Sequence, residues 1–221
     1  MRRVSLIVVA AVLMASAGWA QNGAGKISIY ANTGMTLPVY PGGLTDYWNS
    51  GLNFGGGVGY DMSKYVAIQG YFNYNTFGFK EDYFFEKYGI ENYSPSSDGG
   101  GVKVITAVIN VKASFIGRGN KVIPYFIGGL GFLRESPDDL TYSYTIGNSN
   151  FSYTSSAGDP KSTLGSVIGF GVDVMVMENA GVFAEIAGGV GAVELKIGLS
   201  GADDGVLAYA PFKIGAFFQL P

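Results

Sequence analysis

The stretch LNFGGGVGY (Leu52–Tyr60) alternates between large apolar residues and residues that are small or polar. Successive side chains of a β-strand point to opposite sides, so each set would occupy one face. The apolar face would carry Leu52, Phe54, Val58 and Tyr60, and the other face only Asn53 and glycines. An oily face backed by glycine and amide is typical of a transmembrane barrel strand, with lipid outside and a polar lumen inside.

Similar alternation recurs along the chain, and most of the segments have the roughly 9–11 residues that a tilted membrane strand needs. We predict strands at Lys26–Thr33, Leu52–Tyr60, Val66–Asn75, Val104–Phe115, Val122–Phe132, Leu164–Met175, Val182–Val190 and Leu207–Leu220. The gaps between them run long, short, long, short. Transmembrane barrels have short periplasmic turns and longer extracellular loops. The sequence therefore predicts an all-β fold, an eight-stranded antiparallel up-and-down transmembrane β-barrel with both ends at the periplasmic side.

The composition removes several classes of function. The 221 residues include 35 glycines but no cysteine and no histidine, and the net charge is −3. A mildly acidic chain offers no basic field for nucleic acid. Without histidine, a Ser–His–Asp triad and an imidazole metal site are both impossible. On composition alone, a lysine- or carboxylate-based mechanism stays open.

The first residues have the layout of a secretory signal peptide. Arg2 and Arg3 precede an apolar run, Val4–Ala17, which is followed by the small-residue site Gly18-Trp19-Ala20. We predict a signal peptide over residues 1–20, cleaved after Ala20 or alternatively after Ala17. Residues 21–221 then form one barrel domain, since no linker or change of composition divides them.

The predicted faces separate two sets of side chains. The outward set is apolar and lacks charge, with Ile29, Phe72, Ile109, Leu130, Ile168 and Ile214 among its members. The inward set holds Asn32, Asn53, Gln69, Asn73, Asn110, Lys112, Asp173, Glu185, Lys213 and Gln219, with most strand glycines. Those glycines would make room for inward tyrosines, because an eight-stranded barrel has space only for its own side chains. A soluble barrel would instead need polar residues outside.

Three of the inward charges are candidates for a lumen ion-pair network. Lys112 and Glu185 lie at similar predicted depth, and Lys213 lies on the strand beside Glu185. Unpaired charges inside would be costly, so an ion pair would plug the lumen and fix the strand register. The alternative is that each charge reaches lumen water separately.

The long loops are rich in aromatic, serine and asparagine residues, a composition that suits adaptable recognition. The candidate surface-recognition residues are Tyr83, Phe84, Phe85, Tyr88, Tyr93, Tyr142, Tyr144 and Tyr153. The alternative is that exposed loops acquire this composition without a ligand. The segments Leu140–Ile146 and Asn150–Thr154 also alternate, which predicts a hairpin beyond the membrane that turns at residues 147–149.

Four segments carry a family resemblance. GGGVGYDMSKYVAIQGYFNY (residues 55–74), KVIPYFIGGLGF (121–132), VIGFGVDV (167–174) and PFKIGAFFQL (211–220) resemble the small outer-membrane β-barrels, the group of the OmpA transmembrane domain, OmpX and OmpW. The resemblance implies the outer membrane of a Gram-negative bacterium. The implied partners are membrane lipid, lipopolysaccharide and, during biogenesis, the barrel-assembly machinery. The barrel enzymes of this size that the chain resembles use an essential histidine, and this chain has none, so the resemblance implies no enzymatic activity and no cofactor.

The acidic pairs Asp138-Asp139 and Asp203-Asp204 fall in predicted external loops. They would either hold Ca²⁺ together with lipopolysaccharide phosphates or serve as solvated turn residues.

Two functions fit these observations. The first is a structural and surface-interaction protein whose external loops contact lipopolysaccharide, a host surface or other cells. The second is a narrow OmpW-like conduit for small or apolar compounds. A general porin is disfavoured, because eight strands leave no open aqueous channel.

Overall fold

A computed structural model describes residues 25–40, 42–197 and 200–220. The predicted signal peptide lies outside the described residues. In chain order the elements are β1 (Ile27–Tyr40), α1 (Gly42–Tyr47), β2 (Gly51–Asp61), β3 (Val66–Phe77), α2 (Glu81–Tyr88), β4 (Ser96–Gly99), β5 (Val102–Ser114), β6 (Val122–Pro137), β7 (Leu140–Ile146), β8 (Ser149–Ser155), β9 (Lys161–Met175), β10 (Ala180–Ile197) and β11 (Ser200–Leu220). None of the helices in this described part has the length and hydropathy of a membrane-spanning helix.

Eight of the described strands close into a barrel in the order β1-β11-β10-β9-β6-β5-β3-β2, with every neighbouring pair antiparallel. Closure is visible at Ile27, which is paired with Leu220 on one side and with Tyr60 on the other. Closing the sheet gives every strand two partners and leaves no edge in the membrane. The predicted fold class is confirmed.

Strand pairing continues further outward than the predicted strand ends. β1 runs to Tyr40 rather than to Thr33, and the predicted loop at residues 191–206 is largely a hairpin of β10 and β11. The prediction that Asp203 and Asp204 lie in a loop is therefore wrong, since Leu195 pairs with Asp203 and Glu194 with Asp204. In β1 the alternation itself continues, since Thr36 is buried while the outward residues Met35, Leu37 and Val39 are apolar and about half exposed, so the prediction ended this strand too early.

The two faces of the strands are as predicted. Large apolar residues cover the outside, where Ile109, Leu130 and Leu164 are each about two-thirds exposed (67%, 66% and 71%). The inward polar residues are buried, and so are the inward apolar residues Val104, Val108, Ile127 and Phe183. Such a continuous apolar exterior is far larger than the patches that soluble monomers expose. It is the lipid-facing belt of a transmembrane barrel.

Glycine and aromatic residues fill the lumen jointly. A Cβ atom placed on Gly57 would lie 2.6 Å from the Tyr71 ring, and one on Gly215 would lie 2.6 Å from the Phe183 ring. Each of these rings therefore occupies the space that a side chain on the facing strand would need. The interior is packed rather than hollow, as expected for a barrel of this size.

Gly57→Ala tests this packing against the matched substitution Gly70→Ala on the adjacent strand. Gly70 faces outward, and a Cβ there would have no heavy atom within 4 Å. We expect Gly57→Ala to lower the free energy of unfolding by about 1–3 kcal/mol through overpacking, and Gly70→Ala to change it by less than about 0.5 kcal/mol. Urea unfolding of the barrel in lipid bilayers measures both. Equal effects would contradict the proposed complementarity between glycine and ring.

Candidate functional site

The lumen opens at the periplasmic end into a vestibule of about 620 Å³. Its wall carries cations and anions, among them Lys26, Lys64, Lys121 and Glu178. Arg118, in the turn between β5 and β6, forms an ion pair with Asp61 at the end of β2. The vestibule is thus a charged mouth whose inner end is Asp173.

Above the vestibule two ion pairs lie inside the lumen. Lys112 Nζ lies 2.5 Å from Asp173 Oδ2, and Lys213 Nζ lies 2.9 Å from Glu185 Oε1. Every one of these side chains is less than a tenth exposed. The Tyr125 hydroxyl donates a hydrogen bond of 3.2 Å to Glu185 Oε2. We call these five residues the ion-pair layer.

Aromatic rings surround the ion-pair layer. The Lys112 ammonium lies 3.7 Å from the centre of the Tyr125 ring, within range of a cation–π attraction. Tyr30 contacts Tyr71 and Phe217, with ring centres 5.8 Å apart in both cases. These rings exclude water from the charges, which strengthens the attraction within each pair and raises the cost of breaking one.

The structure brings the three predicted lumen charges into one layer and adds a fourth charge to it. Lys213 contacts Glu185 on the adjacent strand, as the prediction allowed, whereas the partner of Lys112 is Asp173. The sequence placed Asp173 inside but gave it no role. The sequence feature that could have identified Asp173 is its inward position near the periplasmic end of its predicted strand. Lys112 on β5 and Asp173 on β9 are separated by β6, so their contact depends on the registers of the β5–β6 and β6–β9 pairs, which alternation does not reveal.

An asparagine layer lies above the ion pairs. Asn32 Nδ2 donates to Asn53 Oδ1 at 2.9 Å, Asn53 Nδ2 donates to Asn75 Oδ1 at 2.6 Å, and Asn75 Nδ2 donates to the Val104 carbonyl at 3.1 Å. The cavity beside this chain is about 10 Å³, room for about one water molecule. The layer is too tight for a solute to pass without rearrangement.

A hydrophobic plug closes the extracellular mouth. Its buried members are Tyr47, Trp48, Phe77, Phe84, Phe85, Val102, Val104, Leu133, Leu207 and Tyr209. Trp48, which follows α1, donates a 2.8 Å hydrogen bond from Nε1 to the Gly100 carbonyl. Residues from both helices thus pack down onto the barrel rim instead of projecting into solvent.

The plug corrects part of the predicted recognition surface. Phe84 and Phe85 are buried at 7% and 5% exposure, so the prediction that they form a surface contact is wrong. Tyr83 is partly buried and stands edge-on against Tyr47, with ring centres 5.3 Å apart. Loop composition cannot distinguish such a helix from a free loop, because both are rich in aromatics. Tyr88 and Tyr93 are exposed, each at 40%.

Glu135 lies beneath the plug, beyond the lipid-facing belt. The next outward residue after Phe132 on β6 is the charged Arg134, so the belt ends before this point. Burial raises the pKa of Glu135 to about 7, against the opposing attraction of Lys161. Because this pKa exceeds the ordinary value of 4.5, the folded rim holds its proton more tightly than the unfolded chain, and Glu135 loses its stabilising protonated form as pH rises through 7.

The predicted hairpin forms and joins a second sheet, in the order β4-β7-β8. Gly147 in its two-residue turn has φ +60°, a conformation that glycine adopts without strain. The pairing of Gly99 with Leu140 keeps the register in which Val102 pairs with Pro137. This second sheet is therefore an outward continuation of the barrel wall formed by β5 and β6.

One face of the hairpin carries a ladder of stacked rings. Tyr142 stacks on Tyr153 at 5.5 Å between ring centres, and Tyr144 stacks on Phe151 at 5.4 Å. Tyr144 also lies 6.1 Å from Tyr153, nearly parallel to it. The base of this ladder packs on the plug through Tyr142 and Phe84, while Phe151 and Tyr153 are exposed. Tyr142, Tyr144 and Tyr153 are brought together, and their role in recognition stays a prediction.

The acidic pair at the hairpin base has internal partners. Asp138 forms a 2.6 Å ion pair with Lys103, and Asp139 accepts a 2.7 Å hydrogen bond from the Ala157 amide. Both carboxylates therefore fasten the connections between barrel and hairpin. Among the described residues there is no group of acidic side chains that could hold a metal ion.

No protein-family model matches the chain, and no curated protein is significantly similar to it. Solved structures do match. Neisserial surface protein A has 15% sequence identity and a TM-score of 0.54, over 89% of this chain and 99% of that one. Ail of Yersinia pestis has 14% identity and a TM-score of 0.48, over 90% and 100% of the two chains. The N-terminal barrel of Pseudomonas aeruginosa OprF has 14% identity and a TM-score of 0.46, over the same shares.

The similarity to Neisserial surface protein A, together with the closed barrel and its apolar exterior, shows the fold. The chain has the fold of the small eight-stranded outer-membrane β-barrels, as its sequence resemblance implied.

Lys112→Met tests the ion-pair layer, with the double variant Lys112→Met/Asp173→Leu as its control. The single change leaves the Asp173 carboxylate buried without its cation, which we expect to cost about 3–5 kcal/mol of unfolding free energy. Removing both charges with apolar residues of similar size should recover most of that loss. Urea unfolding in bilayers at neutral pH compares the three proteins. A double variant as unstable as the single one would refute the electrostatic origin of the loss.

Proposed function

We propose that this outer-membrane barrel is a surface-interaction protein that acts through the β7–β8 hairpin, and that it is neither a general porin nor an enzyme. The observation that carries the proposal is the hairpin itself. It continues the barrel wall outward and exposes Phe151 and Tyr153, two members of a ring ladder. Aromatic rings supply large rigid contact area at low entropic cost, as they do in antibody loops.

The filled lumen supports the same proposal. The ion-pair layer, the asparagine layer and the plug lie in series between the periplasmic vestibule and the outside. A solute would have to displace all three. Lipid and lipopolysaccharide around the belt and the barrel-assembly machinery during biogenesis stay proposed partners, and the ligand of the hairpin is addressed below.

Trimming the hairpin tests the function without opening the barrel. Leu140 and Ser155 are directly paired, so Asn-Gly, a two-residue turn, can replace residues 141–154 between them. The Asp139 contact to Ala157 at the base is retained. We expect cells that carry the trimmed protein to lose attachment to other cells or to epithelial monolayers, with both proteins compared at equal surface amount.

The control is heat-modifiable gel mobility, which should be the same for the trimmed and the full protein because the barrel strands are untouched. Unchanged attachment to every surface, with the trimmed barrel folded, would overturn the proposed function.

The second candidate is a narrow conduit, which the 620 Å³ vestibule favours because a preformed cavity is already present at one end of the lumen. In planar bilayers we expect the full protein to give no stepwise conductance. Because the asparagine layer and the plug lie in series with the ion-pair layer, Lys112→Ala and Glu185→Ala should also give no conductance. Conductance in either variant would show that the ion-pair layer alone seals the lumen, and reproducible conductance of the unaltered protein would establish the conduit in place of a closed barrel.

A further inference from the structure

The outer edge of β8 is an exposed strand edge without protection. In the β4-β7-β8 sheet no described strand pairs with that side of β8. Natural proteins shield such edges with lysine, proline, bulges or a covering segment, because unpaired N–H and C=O groups invite another strand. The β8 sequence SNFSYTS contains no charge and no proline, and all its residues but Ser155 are exposed. This edge is open to strand addition.

The same seven residues are nearly a palindrome. Pairing two β8 strands antiparallel about Ser152 sets Phe151 opposite Tyr153 of the other copy, and Tyr153 opposite Phe151. The remaining pairs in this register are Asn150 with Thr154 and Ser149 with Ser155. Sliding the strands by two residues would instead set one aromatic against a serine. Aromatic cross-strand pairs are among those that stabilise a sheet.

Charge favours a second copy over a different partner. No residue from Leu140 to Ser155 is acidic or basic. In a symmetric interface a residue on the two-fold axis faces itself, so any charge there would repel its own copy. A neutral edge is the composition that self-pairing requires, whereas it gives a foreign partner no charge to recognise.

We propose that the β8 edges of two copies of this chain pair antiparallel about Ser152, forming one sheet in the order β4-β7-β8-β8-β7-β4. The proposal deepens the proposed function by naming the partner, and it rests on the hairpin being the contact surface. The pairing would add about six to eight backbone hydrogen bonds and extend the ring ladder across both copies. Each contact is small, and many copies on one surface multiply its strength.

The geometry sets the two copies in apposed membranes. The two-fold axis of an antiparallel strand pair is perpendicular to the strands. Barrel strands tilt by roughly 35–45° from the membrane normal, and the hairpin continues their ladder. Two copies in one membrane would need an axis along the normal, which requires strands lying flat. The pairing therefore joins one cell to another.

The test mixes two populations of lipid vesicles that carry the full protein, labelled as energy-transfer donor and acceptor. Ser152 is exposed on the polar face, so Ser152→Lys and Ser152→Asp change the axis position alone. When both vesicle populations carry Ser152→Lys, or both carry Ser152→Asp, we expect at least about fivefold less clustering than with the unaltered protein. Mixing Ser152→Lys vesicles with Ser152→Asp vesicles should restore clustering, and 1 M salt should remove the difference between these combinations.

Asn148→Lys and Asn148→Asp are the matched controls, because Asn148 is in the turn and does not face its own copy in this register. All of their combinations should cluster like the unaltered protein. A cysteine adds a second readout, since the chain has none of its own. Under mild oxidation Ser152→Cys should give a disulfide dimer between the two populations, and Asn148→Cys should not.

Failure to restore clustering in the mixed Lys and Asp populations would overturn self-pairing. So would clustering with protein-free vesicles, which would make lipid the occupant. Dimers of Ser152→Cys confined to single vesicles would overturn the apposed arrangement. If trimming the hairpin abolishes attachment but substitutions at residue 152 do not change it, the proposed surface function is retained and only the proposed self-pairing is overturned.

Discussion

Backbone N–H and C=O groups have no partner in lipid, so a membrane-spanning sheet must close on itself. That requirement fixes most of this molecule. Eight strands enclose a lumen only wide enough for side chains, so each inward ring needs an inward glycine beside it, as Tyr71 has Gly57 and Phe183 has Gly215. The charges that remain inside must find one another, which they do as Lys112 with Asp173 and Lys213 with Glu185. Filling the lumen is therefore a consequence of closure.

The requirement ends where the lipid ends, and the architecture changes there. Within the barrel, β5 and β6 each pair with a strand on both sides. Beyond the lipid, β4 continues β5 and β7 continues β6, and the outer sheet ends at a third strand, β8. Water can form hydrogen bonds with the unpaired N–H and C=O groups on the free edge of β8, whereas lipid could not. An open edge is thus possible only outside the membrane, and of the two edges that the outer sheet leaves unpaired, that of β8 is longer than that of the four-residue β4.

Alternation in the sequence was sufficient to predict the fold, because the membrane imposes a period of two on every strand. It predicted the inward position of Lys112 and the outward position of Ile109, and it found the β7–β8 hairpin. It did not predict the pairing of Lys112 with Asp173, because that contact reaches past β6 and depends on the registers of the β5–β6 and β6–β9 pairs. It also misplaced Phe84 and Phe85, since a helix that packs into the mouth has the same composition as a free loop.

The tyrosines separate the two environments. Inside, Tyr125 lies against Lys112 and donates to Glu185, and Tyr71 lies against Gly57, so closure accounts for both. On the hairpin, Tyr144 and Tyr153 stack on each other, away from lipid and lumen alike. Rings that stay exposed contribute little hydrophobic stabilisation, and a serine or threonine ladder would hold the hairpin together with less risk of aggregation. Neither barrel closure nor the membrane accounts for these rings, which are the surface that the proposed contact would use.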